Sequence, residues 1–184
     1  MKITWKIALV LVLGLFLLSA LQAQEKAETF SPYVDAQGKI SLPKDYRATW
    51  RYLGSWAVPM KKAPGHGFHD VFTQPESVEA FKKTGKFPDG TVLLKEIRKV
   101  HGGKMTTGQV YWAGDIDAWF VMVKDQKGRF KDNPNWGEGW GWALFKPSDP
   151  EKNVSTNYRK DCFKCHIPAQ KTDWVFLQGY PTLK

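Results

Sequence analysis

The sequence is poor in cysteine and has neither a long hydrophobic run nor a long charged one. Two cysteines in 184 residues are too few for the disulfide framework of a small secreted scaffold. The longest apolar run, Ile7 to Leu18, has 12 residues, fewer than are needed to cross roughly 30 Å of hydrocarbon. The net charge is +9, but no five basic residues are consecutive. The charge therefore indicates a solvated basic surface and does not favour nucleic-acid binding.

The first 23 residues have the pattern of a secretory signal peptide. Lys2 and Lys6 precede the apolar run, and Ser19, Ala20 and Ala23 follow it as small residues for a signal peptidase. An uncleaved N-terminal anchor is the alternative interpretation. Cleavage after Ala23 would leave residues 24–184 with a net charge of +7. The pattern predicts export, and a periplasmic location.

Aromatic and β-branched residues dominate several short segments bounded by glycine, proline and polar residues. One helix is expected from Pro75 to about Gly85, with Thr73 as its cap. The strands outnumber the helices and do not alternate with them, which argues against a doubly wound fold. The sequence predicts an α+β fold of mainly antiparallel β-sheet with a few helices in one compact domain. The predicted strands are 49–58, 68–72, 91–100, 109–113, 118–124 and 139–145.

Both cysteines lie in the segment CFKCH at 162–166. Two thiols at this spacing can add to the vinyl groups of a haem, and His166 is then placed to ligate the iron. A redox disulfide is an alternative, although the usual βαβ context is missing. A zinc site is a second alternative, but it would need a fourth ligand. Export and the adjacent histidine favour covalent haem c through Cys162 and Cys165, so residues 24–184 are interpreted as a haem-binding domain.

The ligand on the other face of the iron would decide the class of function. A second strong protein ligand would make an electron carrier, whereas an open site would bind small molecules. No motif singles out a sixth ligand. The candidates are Met60, Met105, Met122, His66, His69 and His101.

Segments on both sides of the haem motif resemble those of one family. CFKCH with the two segments that follow it is similar to the C-terminal signature of cytochrome P-460 and its relative cytochrome c′-β. The resemblance runs from about residue 32 to the end of the chain. Its segments are LPKDYR (42–47), DVF (70–72), PES (75–77), KKTGKF (82–87), DGTVLLKE (89–96), VKD (123–125), KTDWVF (171–176) and YPTL (180–183).

The resemblance implies a dimeric, antiparallel β protein with a five-coordinate haem c and an open distal pocket. In cytochromes P-460 a lysine is also bonded to the porphyrin, and Lys95 matches that position; cytochromes c′-β lack this crosslink. Strand alternation puts Lys95 on the same face as Leu93 and Ile97. Cytochromes P-460 oxidise hydroxylamine and also handle nitric oxide, so hydroxylamine oxidation is the leading expectation. A soluble redox partner is expected to take the electrons.

Two departures from the family pattern weigh against turnover. Phe120 stands where hydroxylamine-oxidising members have a distal glutamate, and His69 stands where they have an arginine. A positioned acid or base typically contributes about 10²–10⁴-fold to a rate, and phenylalanine cannot supply it. His69 and Asp117 are the remaining candidates for proton transfer. An apolar pocket under Phe120 instead favours nitric oxide binding without turnover, as in cytochrome c′-β.

Overall fold

A six-stranded antiparallel sheet organises the chain, in the order β1-β2-β3-β4-β6-β5. In this computed structural model residues 30–184 are described, and residues 33–184 form one compact unit. The predicted signal peptide lies outside the described residues. None of the helices within 30–184 is long and apolar enough to cross a membrane. The strands are β1 (Arg51–Val58), β2 (Gly67–Thr73), β3 (Val92–Met105), β4 (Gly108–Lys124), β5 (Trp136–Gly137) and β6 (Trp140–Phe145). The predicted fold class is confirmed.

β3 and β4 form one long hairpin, and this corrects the prediction of two separate strands at 109–113 and 118–124. The pairing runs from Val92 opposite Val123 to Met105 opposite Gly108. Its register shifts twice, between Ile97 and Val100. The polar segment at 114–117 looks like a break in the sequence, but the sheet absorbs its extra residues as bulges.

Four α-helices and three 3-10 turns complete the unit. The helices are α1 (Tyr46–Thr49), α2 (Pro75–Thr84), α3 (Tyr158–Asp161) and α4 (Phe163–His166). The 3-10 turns are Ile167–Thr172, Leu177–Gly179 and Pro181–Leu183. The predicted helix is confirmed as α2, which ends where Gly85 takes a φ of 70°.

The residue that caps α2 differs from the prediction. Gln74 is its N-cap, while Thr73 remains in β2 and donates its hydroxyl to the Val92 carbonyl at 2.7 Å. Thr73 therefore belongs to the sheet and does not cap the helix, because its buried hydroxyl donates to an acceptor on the neighbouring strand.

The two faces of the sheet carry different side chains because successive residues of a strand point to opposite sides. Lys95 is paired with Val71 on one side and with Phe120 on the other. We call the face that carries these three residues the inner face. The α3–α4 segment and the C-terminal 3-10 turns cover it, and its core includes Trp140 and Trp142. The opposite, outer face carries the fully buried Glu96.

The C-terminal segment crosses β1 at very short range. A Cβ at Gly54 would lie only 1.9 Å from the carbonyl oxygen of Gly179. A side chain at position 54 would therefore prevent β1 and the C-terminal segment from approaching each other this closely. This crossing holds Trp56 and Tyr180 beside one another at the edge of the inner face, where both line the same cavity.

Candidate functional site

A cavity of about 450 Å³ lies between the inner face of the sheet and the C-terminal segment. This volume falls within the ~300–1,000 Å³ typical of cofactor and ligand pockets. Its wall is mostly apolar, with Val71, Leu93, Ile97, Trp142 and Phe176 among the lining residues. A second cleft, of about 320 Å³, is formed by polar loop residues such as Asn133 and Asn153 and contains none of the predicted site residues.

The CFKCH segment forms one wall of this cavity. Cys162 is the single residue between α3 and α4, and the four residues of α4 include Cys165 and His166. All three side chains line the cavity. Both thiols are free, Cys162 buried and Cys165 exposed. Burial raises the pKa of the Cys162 thiol to about 11, so this thiol is protonated at neutral pH.

His166 has only one ring nitrogen available for a ligand. Its Nδ1 lies 2.7 Å from the Trp174 carbonyl oxygen, and because a carbonyl can only accept, Nδ1 carries the proton. Nε2 is therefore unprotonated, which is the form that binds a metal. Burial and, secondarily, Lys95 lower the pKa of His166 to about 4, so the imidazole is neutral. Trp142 and Phe176 hold the ring at centroid distances of 4.9 and 5.7 Å.

Lys95 points into the same cavity, as strand alternation predicts. Leu93, Lys95 and Ile97 all line it. The Lys95 Nζ lies 4.5 Å from the centre of the Phe120 ring, and none of the salt bridges within 30–184 involves it. Burial lowers the pKa of the Lys95 amine, although the nearby thiols of Cys165 and Cys162 oppose this. A lowered pKa increases the fraction of neutral amine, which is the nucleophilic form.

Phe120 and His69 also line the cavity. His69 Nε2 lies 2.7 Å from the Gly65 carbonyl, so Nε2 is the donor and Nδ1 is left as the acceptor. Burial, followed by the charge of Lys95, lowers the pKa of His69. The neutral imidazole is therefore a proton acceptor at neutral pH.

Asp117 does not fit the proton-transfer role that the sequence suggests. It is absent from the cavity wall, its side chain is 56% exposed, and its carboxylate pairs with Lys146 at 3.5 Å. The bulge in β4 places Asp117 between Ile116 and Ala118 without a partner on β3. The sequence made Asp117 a candidate for proton transfer, but the structure leaves its side chain at the surface.

Most of the methionines and histidines considered as a sixth ligand are also placed away from the cavity. Met60 and Met105 are exposed, and among the six candidates only Met122 and His69 contribute to the wall. Within residues 30–184 no three His, Cys, Asp or Glu side chains converge as a metal site.

Sequence reasoning missed the buried carboxylate on the outer face. Glu96 accepts hydrogen bonds from the Tyr46 hydroxyl and from Arg47, whose Nε lies 2.8 Å away. Arg98 adds an ion pair at 3.4 Å. A charged residue next to Lys95 in the apolar first half of β3 was the available signal, since charges are rarely buried without partners.

Comparison with known families agrees with the geometry. The sequence model of the family Cytochrome P460 matches residues 43–177. The chain belongs to the cytochrome P460 family. The family binds haem c, and membership supports a haem c protein here. None of the curated proteins compared with the chain matches it.

The residues of the cavity suit a haem c. The pocket is largely apolar, two thiols and an imidazole line it, and the hydrogen bond from His166 leaves Nε2 for iron. The buried indole Nε1 of Trp56, a residue of the cavity wall, makes no hydrogen bond of regular geometry, although it interacts with the side chain of Tyr180. A buried donor without a well-formed hydrogen bond is uncommon in a protein interior, and a polar group of a bound cofactor would complete its bonding.

Proposed function

We propose that this member of the cytochrome P460 family carries one haem c, bonded to Cys162 and Cys165 and ligated by His166 Nε2. The observation in favour is that these three side chains line one apolar cavity. The hydrogen bond from Nδ1 to Trp174 also orients the imidazole. When bound, the haem supplies an iron that can bind small nitrogen species and exchange electrons.

Lys95 is proposed to form a further bond to the porphyrin. Its amine is inside the same cavity as the two thiols, and its lowered pKa favours the neutral nucleophile. A lysine that was only a surface residue of β3 would direct its amine to solvent. The position of Lys95 Nζ, inside the cavity and over Phe120, is the observation that carries the P-460 interpretation.

The leading activity is the oxidation of hydroxylamine. This reaction removes protons as well as electrons from the substrate nitrogen, so it needs a proton acceptor in the pocket. His69 Nδ1 is proposed for that role because Nε2 is committed to the Gly65 carbonyl. The electrons would leave to a soluble redox partner.

Peptide mapping of the holoprotein tests the Lys95 bond. The tryptic peptide that contains Lys95 should be recovered joined to porphyrin, and the ferrous optical spectrum should be strongly red-shifted relative to an ordinary haem c. Lys99→Met, an exposed lysine of the same strand, is the control and should leave both results unchanged. Recovery of the free Lys95 peptide at full yield would move the protein to the cytochrome c′-β side of the family.

The alternative function is nitric oxide binding without turnover, and Phe120 is the observation that favours it. The ring lies in the cavity wall beside Lys95 and makes this part of the pocket suitable for an uncharged diatomic molecule. Phe120→Glu should raise hydroxylamine turnover if proton transfer limits the rate, whereas Phe120→Leu should not. Equal rates in the two variants and the parent protein would contradict a limiting role for Phe120.

Location and assembly complete the proposal. The predicted signal peptide at 1–23 would export the protein to the periplasm, and the scattered basic residues give no reason to propose a nucleic-acid partner. A homodimer is proposed because the far part of the β3–β4 hairpin exposes Tyr111 and Trp112. Two-stranded hairpins are only marginally stable alone, and a second copy would cover these rings. Light scattering of the holoprotein measures the mass in solution and should give that of two copies of the chain.

A further inference from the structure

The carbonyl that orients His166 belongs to a loop with an unusual backbone. Asp173 and Trp174 follow one another in the left-handed region, with φ values of 56° and 66°. Few non-glycine residues adopt this conformation, and a bulky residue such as Trp does so rarely. The loop therefore depends on contacts from outside itself to keep the Trp174 carbonyl in place.

Two side chains from the sheet supply those contacts. Lys124, the last residue of β4, is only 8% exposed, and its Nζ lies 2.7 Å from Asp173 Oδ1. Trp140, which is fully buried, donates its Nε1–H to the Asp173 carbonyl at 3.0 Å. The lysine also lies over the Trp140 ring, 4.8 Å from its centre. The lysine end of this ion pair is buried, whereas the Asp173 side chain is 37% exposed, so the pair is less screened than one between two surface residues.

The contacts continue from Asp173 to the candidate iron ligand. Asp173 precedes Trp174 in the chain, and the Trp174 carbonyl accepts the hydrogen bond from His166 Nδ1 at 2.7 Å. The backbone amide of Trp174 donates a hydrogen bond to the Ala169 carbonyl at 2.8 Å. This bond connects the loop to the 3-10 turn that follows His166. No side chain other than that of Lys124 forms a salt bridge with Asp173 within residues 30–184.

We propose that Lys124 is a positioning residue for the proximal ligand: its ion pair with Asp173 holds the Trp174 carbonyl and so sets the strength of the His166 hydrogen bond. The inference rests on the proposed function, in which His166 ligates the haem iron. A stronger hydrogen bond at Nδ1 makes the imidazole a more basic ligand. A more basic ligand stabilises the ferric state over the ferrous one, so Lys124 lowers the reduction potential.

The test uses the holoprotein with Lys124→Met, which keeps most of the side-chain length and removes the charge. Lys124→Arg retains the charge, and Lys127→Met removes an exposed lysine three residues away as a matched control. Resonance Raman spectra of the ferrous protein report the iron–histidine stretching band, and a redox titration reports the midpoint potential. Haem staining on a denaturing gel checks that all variants carry equal covalent haem.

We expect Lys124→Met to shift the iron–histidine band to lower frequency and to raise the midpoint potential. Lys124→Arg should keep the band and the potential close to those of the parent protein, and Lys127→Met should change neither. A Lys124→Met protein with full haem and with the parent band and potential would overturn the proposal. A merely structural lysine would change the unfolding curve without moving these two readouts.

A second variant decides the matter if Lys124→Met does not fold. Asp173→Asn keeps a residue that tolerates the left-handed conformation and removes the negative charge, so smaller shifts in the same directions are expected. If both variants lose haem while Lys127→Met retains it, the ion pair serves folding and the positioning role is refuted. Absence of covalent haem or of the iron–histidine band in the parent protein would instead refute the proposed function itself.

Discussion

The ion pair between Arg47 and Glu96 on the outer face is expected to couple β3 strongly to α1. Glu96 has no exposed side-chain surface, whereas that of Arg47 is half exposed. Arg47→Met removes two donors and leaves the buried carboxylate with Tyr46 and Arg98. Removing one partner of a fully buried pair costs about 3–5 kcal/mol. Because water can reach the Arg47 side and two donors remain, we expect a loss of about 2 kcal/mol.

Urea unfolding and thermal unfolding of the holoprotein, each followed by far-ultraviolet circular dichroism, measure this loss. A change of 1 kcal/mol shifts the melting temperature of a domain this size by about 2–4 °C, so Arg47→Met should melt about 4–8 °C lower. Arg51→Met is the matched control, because Arg51 is exposed at the start of β1 and should change stability by less than about 0.5 kcal/mol.

A double-mutant cycle separates the ion pair from the loss of either residue alone. Glu96→Leu removes the buried charge. The Tyr46 oxygen still accepts a hydrogen bond from Trp119 Nε1 at 3.0 Å, while its hydroxyl proton loses Glu96 as acceptor whether or not Arg47 is present. Arg98 likewise keeps its bond to the Gly114 carbonyl at 2.8 Å. In the Glu96→Leu background, Arg47→Met should therefore lower the free energy of unfolding only slightly. Additive single effects, or a parent-like Arg47→Met protein, would refute the coupling.

Two other predictions concern the cavity. Cys165→Ala should abolish or greatly weaken haem staining on a denaturing gel, while Lys164→Ala, a change at an exposed neighbour, should not; undiminished staining of Cys165→Ala would contradict thioether attachment. His69→Gln should lower hydroxylamine turnover by about 10²–10⁴-fold if Nδ1 is the proton acceptor. Because burial and Lys95 lower the pKa of His69, the parent protein should keep its turnover below pH ~6.5, the usual histidine value, and lose it only as the imidazole becomes protonated. A loss of turnover already above that pH, or an unchanged rate in His69→Gln, would assign the proton transfer to another group.

The outline of the fold could be read from local patterns. Strand alternation predicted that Leu93, Lys95 and Ile97 share a face, and the cavity wall confirms it. The proline and glycine that bound α2 were equally clear, because their backbone preferences are local. The single β4 was not predicted, since bulges depend on what the partner strand tolerates.

The sequence by itself determined the chemistry that the protein carries: two thiols and a histidine in CFKCH, a lysine in the apolar first half of a strand, and the family to which the chain belongs. Only the tertiary structure decided which of the scattered side chains meet. It brought His69 and Phe120 to the cavity and left Asp117 at the surface. It also paired Lys124 with Asp173, which is 49 residues further along the chain and lies in the loop that orients His166. The physical reason is that covalent spacing controls neighbours within a turn or a strand, whereas burial, register and ion pairing act between segments that are distant in sequence.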